Sequence, residues 1–269
     1  MTIPYSYGGF LLHDNLTFFM EAVDLSWVDI TQVMTKIARM EGMKKSGESQ
    51  DDRKVKLTVA VMPLAGTRAA LEAALDTLDL ALYQRQQPLV LHGDGRYFVA
   101  DCVSSKRVIN HPSYVAMELD FECQQPFAYA PAPSSSSATL FGLGSNPYTF
   151  TTAVTGGGTV FSRPTITITN VGTPAISNLV LTNQTDNTVL SITALTLNAG
   201  DYVTIVCDPL LSTNNGYLIY KNGSTATLYD FSGVFPVLDT GTSTWQLQGN
   251  AASAPLVTMN WSWTNRYLG

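Results

Sequence analysis

The chain has 269 residues, of which 45% are hydrophobic and only 13% charged, and a formal net charge of −6. The charge is lopsided: residues 1–127 hold 28 Asp, Glu, Lys and Arg, residues 128–269 hold 8, and no Glu follows Glu122 and no His follows His111. An acidic chain without a basic run excludes a sequence-neutral nucleic-acid binder, and no apolar run is long enough for a membrane-spanning helix.

The asymmetry and the length predict two domains with different surfaces. The start, MTIPYSYGGFLLHDN, lacks a basic n-region and does not read as a secretory signal. Cys102, Cys123 and Cys207 are too few and too odd for a disulfide framework and read as reduced thiols of a protein made in a cytosol.

Residues 1–34 yield no clear element. Lys44 to Lys54 is polar, with one Gly and no apolar residue, and is expected to be an exposed loop at the end of a hairpin arm near 44–54. Val55 to Met62 alternates, with Val55, Leu57, Val59 and Val61 on one face, as in a half-buried strand. Leu71, Leu75, Leu78 and Leu82 then form a helical stripe, with Thr67 as the cap and Pro88 as the stop. Asp94-Gly95 lies between two strand-like runs, Leu89–Leu91 and Arg96–Cys102, and marks a turn. Tyr114 to Cys123 alternates again, with Glu118, Asp120 and Glu122 opposite the apolar face.

Tyr129-Ala-Pro-Ala-Pro followed by four Ser reads as a linker, and Thr155-Gly-Gly-Gly-Thr159 as a second weak segment, a hinge. The expected division is therefore a domain at 1–127, a Pro/Ser/Gly-rich linker at 128–162, and a domain at 163–269. The last part is rich in Thr and β-branched residues, shows no helical stripe, and has about eight short strands at even spacing, as in a sandwich or jelly roll. Asn215-Gly216 and Asn222-Gly223 bracket one strand as turn pairs. The fold class predicted for the whole is mainly β with one N-terminal helix.

Catalytic signals are weak. There is no G-x-S-x-G, C-x-x-C or H-E-x-x-H. His13, His92 and His111 are isolated and read as loop or surface residues, with His92 and Asp94 as turn chemistry. The Gly run at 156–158 leads into a strand, where a phosphate loop needs a helix N-terminus. The row Glu118, Asp120, Glu122 could hold a cation, but a solvated or subunit-facing strand is the favoured reading. The N-x-[ST] sequons at Asn15, Asn183, Asn222 and Asn260 mean little without secretion. Trp245, Trp261 and Trp263 could stack on sugar rings, yet Trp261 and Trp263 share a strand face with Val257 and Met259 and read as core. A glycan-degrading enzyme would want a carboxylate pair, and the second half offers only Asp186, Asp201, Asp208, Asp230 and Asp239. No catalytic, cofactor-binding or metal residue is assigned, and no cofactor is expected.

The parts follow a specific order. A strand, polar arm and strand span Ile37 to Met62, then come the helix Thr67–Gln86 with Leu78-Asp-Leu80, QQPLVLHGDGRYFVADCV at 86–103, and ELDFECQQPFAYA at 118–130. A sandwich follows that opens RPTITITNVGTPAISNLVLTN and closes WSWTNRYLG. From about residue 35 onward this order resembles the distal tail (Dit) proteins of long-tailed, non-contractile phages. The resemblance implies a split β-barrel with one helix that closes into a homo-oligomeric ring, commonly a hexamer, with a trimer as the alternative. It implies an arm that clasps the next subunit and an outward, galectin-like sandwich. The ring would join the tail tube protein to the tip or hub protein and the receptor-binding components, at the virion tail tip, after assembly in the bacterial host cytoplasm. DNA would pass the lumen without specific binding, and no membrane partner is implied. Some relatives bind carbohydrate, but residues 163–269 lack the His and Glu of galectin sugar grips. No sugar-binding residues are therefore carried over, and a host-glycan adhesin is kept as the alternative function.

Overall fold

The computed structural model describes residues 5–25, 30–36, 43–50, 53–91, 93–123, 125–208, 218–224, 229 and 231–268, with the backbone alone at 30–36, 43–50 and 218. Two compact units emerge, one reaching to Pro131 and including Leu268, the other Ala132–Tyr267.

The first unit holds strands Ser6–Tyr7 (β1), Phe10–Leu11 (β2), Phe18–Leu25 (β3), Ile30–Lys36 (β4), Met43–Gln50 (β5) and Arg53–Val61 (β6). The helix Arg68–Leu82 (α1) follows, then Gln87–Val90 (β7), Tyr97–His111 (β8), Tyr114–Cys123 (β9) and Ala128–Tyr129 (β10). Its main sheet runs β2-β1-β7-β8-β9-β6-β3, with antiparallel neighbours. The alternation at 55–61 does what its period of two demands: Val55, Leu57, Val59 and Val61 are fully buried.

The helix packs against β6. Leu71, Leu75, Leu78 and Leu82 are its buried residues, and the Thr67 hydroxyl accepts a hydrogen bond from the Ala70 N–H at 3.2 Å. It ends at Leu82, not at Gln86, because Pro88 is already inside β7, opposite Val99. Leu78→Ala should cost about 2–5 kcal/mol, since Leu78 is wholly buried and a truncated core Leu leaves a cavity. Urea unfolding followed by far-UV circular dichroism would measure it.

The arm differs from a loop. The polar segment is itself a strand: β5 pairs with β4 in a separate two-stranded ribbon, from Ile30 opposite Gln50 to Lys36 opposite Met43, with an irregularity after Val33. Its polarity hid it, because residues 44–50 contain no apolar residue and so show no alternation. Ile37 to Met40, Asp51 and Asp52 lie outside the described residues.

The second unit begins where a linker was expected. Residues 128–162 are largely β-structure, not linker: Ser134–Phe141 (β11) and Tyr148–Gly156 (β12) are strands. After them come Thr165–Asn170 (β13), Ile176–Asn183 (β14), Thr188–Leu197 (β15), Tyr202–Val206 (β16) and Leu218–Lys221 (β17). Ser232–Gly233 (β18), Gly241–Asn250 (β19), Leu256–Trp263 (β20) and Arg266–Tyr267 (β21) complete it. Among the described residues two five-stranded sheets form, ordered β11-β20-β13-β16-β17 and β12-β19-β14-β15-β18. The expected linker thus supplies an edge strand to each sheet. Its serines tolerate this because β11 alternates half-buried and exposed positions along β20, from Ser134 opposite Trp263 to Phe141 opposite Leu256.

One apolar core lies between the two sheets, built around Trp245, Trp261, Phe150, Ile166 and Leu181. The glycine run is a fitted contact, not a hinge. Thr159 N–H donates to the Arg266 carbonyl at 2.9 Å, and a Cβ on Gly158 would stand 2.2 Å from that oxygen.

Candidate functional site

In the first unit, cross-strand register lines up side chains on the sheet face opposite Val55, Leu57 and Val59. Asp24 on β3 stands opposite Lys56 on β6, Lys56 opposite Asp120 on β9, and Asp120 opposite Ser104 on β8. The next row is Ala22, Thr58, Glu118 and Lys106, and a third is Lys54, Glu122 and Asp101. None of these rows is local in sequence. Five carboxylates and three ammonium groups therefore share one face. A shallow depression of about 380 Å³ opens between Asp24, Lys54, Lys56, Asp120 and Glu122.

The acidic row found in the sequence is partly neutralised. Lys56 Nζ lies 3.0 Å from Glu118 Oε2, and Lys54 Nζ lies 3.8 Å from Glu122 Oε1. The hydrogen bond to Glu118, and then its charge, raises the Lys56 pKa above its ordinary value. With Lys56 about half exposed, the pair adds little stability. Its consequence is a wet face with a slight excess of negative charge, which repels a polyanion. Among the described residues no three His, Cys, Asp or Glu are placed to hold a metal ion.

The face ends in two strand edges. β3 pairs with β6 on one side, and no described strand pairs with its other side. β8 is covered by β7 only from Tyr97 to Ala100. Beyond that its outer edge has no described partner, and residues 103–111 are exposed.

The other candidates disperse. His13 accepts from the Met20 N–H through Nδ1 at 3.2 Å and meets Asn15 Oδ1 through Nε2 at 2.8 Å, so it holds a loop. His111 bonds Ser113 at a hairpin tip, at 2.9 Å. Asp94 pairs with Arg96 at 2.8 Å across the turn that contains Gly95, and His92 lies outside the described residues. The Asn183 side chain is buried and donates to the Val237 carbonyl, so that sequon is not accessible.

In the second unit Asp186, Asp201 and Asp208 are held by structural contacts. Asp201 pairs with Lys221 at 2.6 Å, and Lys221, Asn222 and the Asn198 N–H hold its carboxyl well below the usual carboxylate range. Asp186 accepts from the Thr188 N–H and hydroxyl. Asp208 bonds Arg266 at 2.7 Å in the interior. Burial, then the charge of Asp186, raises Asp239. Asp230, Asn215 and Gly216 lie outside the described residues. Trp245 and Trp261 are buried, and Trp263 nearly so, with its indole N–H donating to Asn265 Oδ1 at 2.8 Å. None of the three can stack on a sugar.

No disulfide joins Cys102, Cys123 and Cys207. Burial pushes Cys102 up to about 11 and pushes Cys207 higher still, with the Asp208 charge adding to it. At pH 8 the thiolate fraction of such groups is tiny, and only thiolate is nucleophilic. Ellman's reagent should therefore react with Cys102 and Cys207 slowly in the native chain and at once in guanidinium. Labelling of Cys102 within seconds at pH 8 would contradict this burial.

Among the described residues no helix is long and apolar enough to cross a membrane. No family model matches the chain, and no curated protein matches it. Solved structures do. The crystal structure of the Dit protein (gp 19.1) of phage SPP1 is described as a paradigm of the hub adsorption apparatus in phages infecting Gram-positive hosts. It matches at 17% identity with a TM-score of 0.63, over 98% of each chain. A chain of the phage P2 baseplate, in its activated conformation with Ca, is similar at 9% identity and a TM-score of 0.43 over 91% of each chain. The chain is thus mainly β with a helix in its first unit, in the fold of a phage hub protein.

Proposed function

We propose that this chain is a non-enzymatic structural protein of a phage tail. It forms a homo-oligomeric ring, hexameric or trimeric, at the distal end of the tail tube, and links the tube to the tip and its receptor-binding parts. The observation that carries this reading is the full-length likeness to the Dit hub protein, which spans both units and not merely a common sandwich. The charged face supports it: a wet face with excess carboxylate suits a lumen through which DNA slides without being held. The two strand edges supply surfaces for neighbouring copies.

Negative-stain images of the purified full chain test it. A ring of about six lobes is expected under this reading, and a monodisperse monomer at high concentration would overturn it. Deleting residues 46–52, which removes most of β5, should weaken the ring if the β4–β5 ribbon clasps a neighbour. Unchanged assembly would assign the ribbon elsewhere. The adhesin reading has no such support, since the tryptophans it would use are buried. Specific micromolar signals on a glycan array would revive it.

A further inference from the structure

We propose that the second unit pairs with the second unit of another copy through the outer edge of β12, in an antiparallel two-fold contact centred on Ala153. This goes beyond the ring reading above and does not rest on it.

The edge is open and unguarded. β12 is the end strand of its sheet and pairs with β19 on one side. On its other side Thr149 exchanges both backbone hydrogen bonds with Leu143, at 2.9 and 3.1 Å, and no described strand pairs with the residues beyond. That exchange fixes which groups face outward. Successive residues of an antiparallel strand turn their N–H and C=O to opposite sides. The backbone groups of Thr151, Ala153 and Thr155 therefore point as those of Thr149 do, away from β19. Natural edges are guarded by a Lys, a Pro, a bulge or brevity. β12 has none of these: it runs for 9 residues without charge or Pro, and its register with β19 is unbroken from Tyr148 opposite Gly249 to Gly156 opposite Gly241. The far edge of the same sheet is guarded, since β18 has only 2 residues.

The edge is complementary to itself, which selects a second copy as the partner. Turned about a two-fold axis at Ala153, Thr151 meets Thr155 and Ala153 meets Ala153, and each of these pairs exchanges two hydrogen bonds. Neighbouring axes do worse. An axis at Thr152 sets Thr155 against Thr149, already held by Leu143. An axis at Val154 sets Thr151 against Gly157, past the end of the strand. The side chains agree with the axis at Ala153. Thr151, Ala153 and Thr155 are exposed, the two side chains that meet on the axis are methyl groups, and Thr against Thr is a favourable cross-strand pair. Neither β12 nor β19 behind it carries a charged residue, so nothing repels as two copies approach. A charged strand from another protein finds no counter-charge here, whereas a second copy brings the same neutral row. A two-fold contact joins copies in pairs, and a hexamer would carry it as three pairs.

The test uses the full chain with one cysteine added. Ala153→Cys, oxidised with copper phenanthroline, should give a dimer on a non-reducing denaturing gel, with peptide masses placing the disulfide between the two residues 153. Facing Cα atoms in such a pair lie about 5.5 Å apart, within disulfide reach. T151C alone and T155C alone should give no bond at the added cysteine, and a mixture of the two should give the bond between 151 and 155. Independently, hydrogen exchange of the 151–155 backbone amides should be slowed in the wild type at high concentration. Ala153→Lys sets two ammonium groups side by side on the axis and should speed that exchange by about tenfold or more, with the tryptophan fluorescence of the fold unchanged. Absence of the bond at 153, bonding of T151C alone as readily as A153C, or exchange that A153K leaves unchanged overturns the pairing. Images with or without rings do not bear on these results, so the pairing and the ring reading fail separately.

Discussion

Asp208→Ala should destabilise the second unit by about 3–5 kcal/mol, because it takes the paired carboxylate from a buried cation. The Arg266 side chain is 1% exposed and that of Asp208 7%, with Nη2 and Oδ2 2.7 Å apart. The pair as a whole is no large source of stability, since desolvating both groups cancels most of their attraction. Removing one partner keeps the desolvation cost of the other and discards the attraction. Unfolding in urea can be followed by tryptophan fluorescence, since three of the four Trp residues, Trp245, Trp261 and Trp263, lie in this unit. With a slope of about 1–3 kcal/mol per molar urea, the midpoint should fall by more than about 1 M. The double replacement D208L/R266M should recover most of the loss, as apolar groups of similar volume do in place of other buried pairs. A loss below about 1 kcal/mol for the single variant would mean that water reaches the site.

Neither member of that pair is marked as buried by its neighbours in sequence, and this is typical of what could not be read in advance. Elements with a buried face announced themselves. The stripe Leu71, Leu75, Leu78, Leu82 and the alternations at 55–61 and 114–123 correspond to α1, β6 and β9, because burying one face imposes a period on the residues. The Trp-rich strand was legible as core for the same reason. Segments whose partners lie far away carried no such mark. β11 is half Ser and is held by β20 about 120 residues later, so its strand character comes from that partner. The distal half of β8 is exposed and bulged, and it showed neither periodicity nor length. The charged face was half legible. Glu118, Asp120 and Glu122 were visible as a row, but Lys54, Lys56 and Lys106 join them only through the register of three strands. The two open strand edges depend on strand order, which local sequence does not encode.

Gly158→Ala should be strongly disruptive for so small a substitution, with a cost of at least about 2 kcal/mol. Two effects add. Gly158 has φ +89°, a region where an L-residue pays roughly 1–2 kcal/mol. Its missing Cβ is also where the Arg266 carbonyl oxygen sits, 2.2 Å away, with the Arg266 nitrogen at 3.1 Å. Those atoms are backbone and cannot rotate aside, so β21 must shift. The shift would break the hydrogen bonds from Thr159 and Val160 to that carbonyl and pull the Arg266 side chain from Asp208. Gly200→Ala is the control, at φ +83° with nothing within 4 Å of its added Cβ. It should lose only the conformational part, about 1 kcal/mol. Equal losses at the two glycines would show that β21 yields freely. A double-mutant cycle of Gly158→Ala with Asp208→Ala sharpens the test, since both act on Arg266 and the combined loss should fall short of the sum. Strict additivity would mean that the glycine contact and the buried pair do not share Arg266 as a common support.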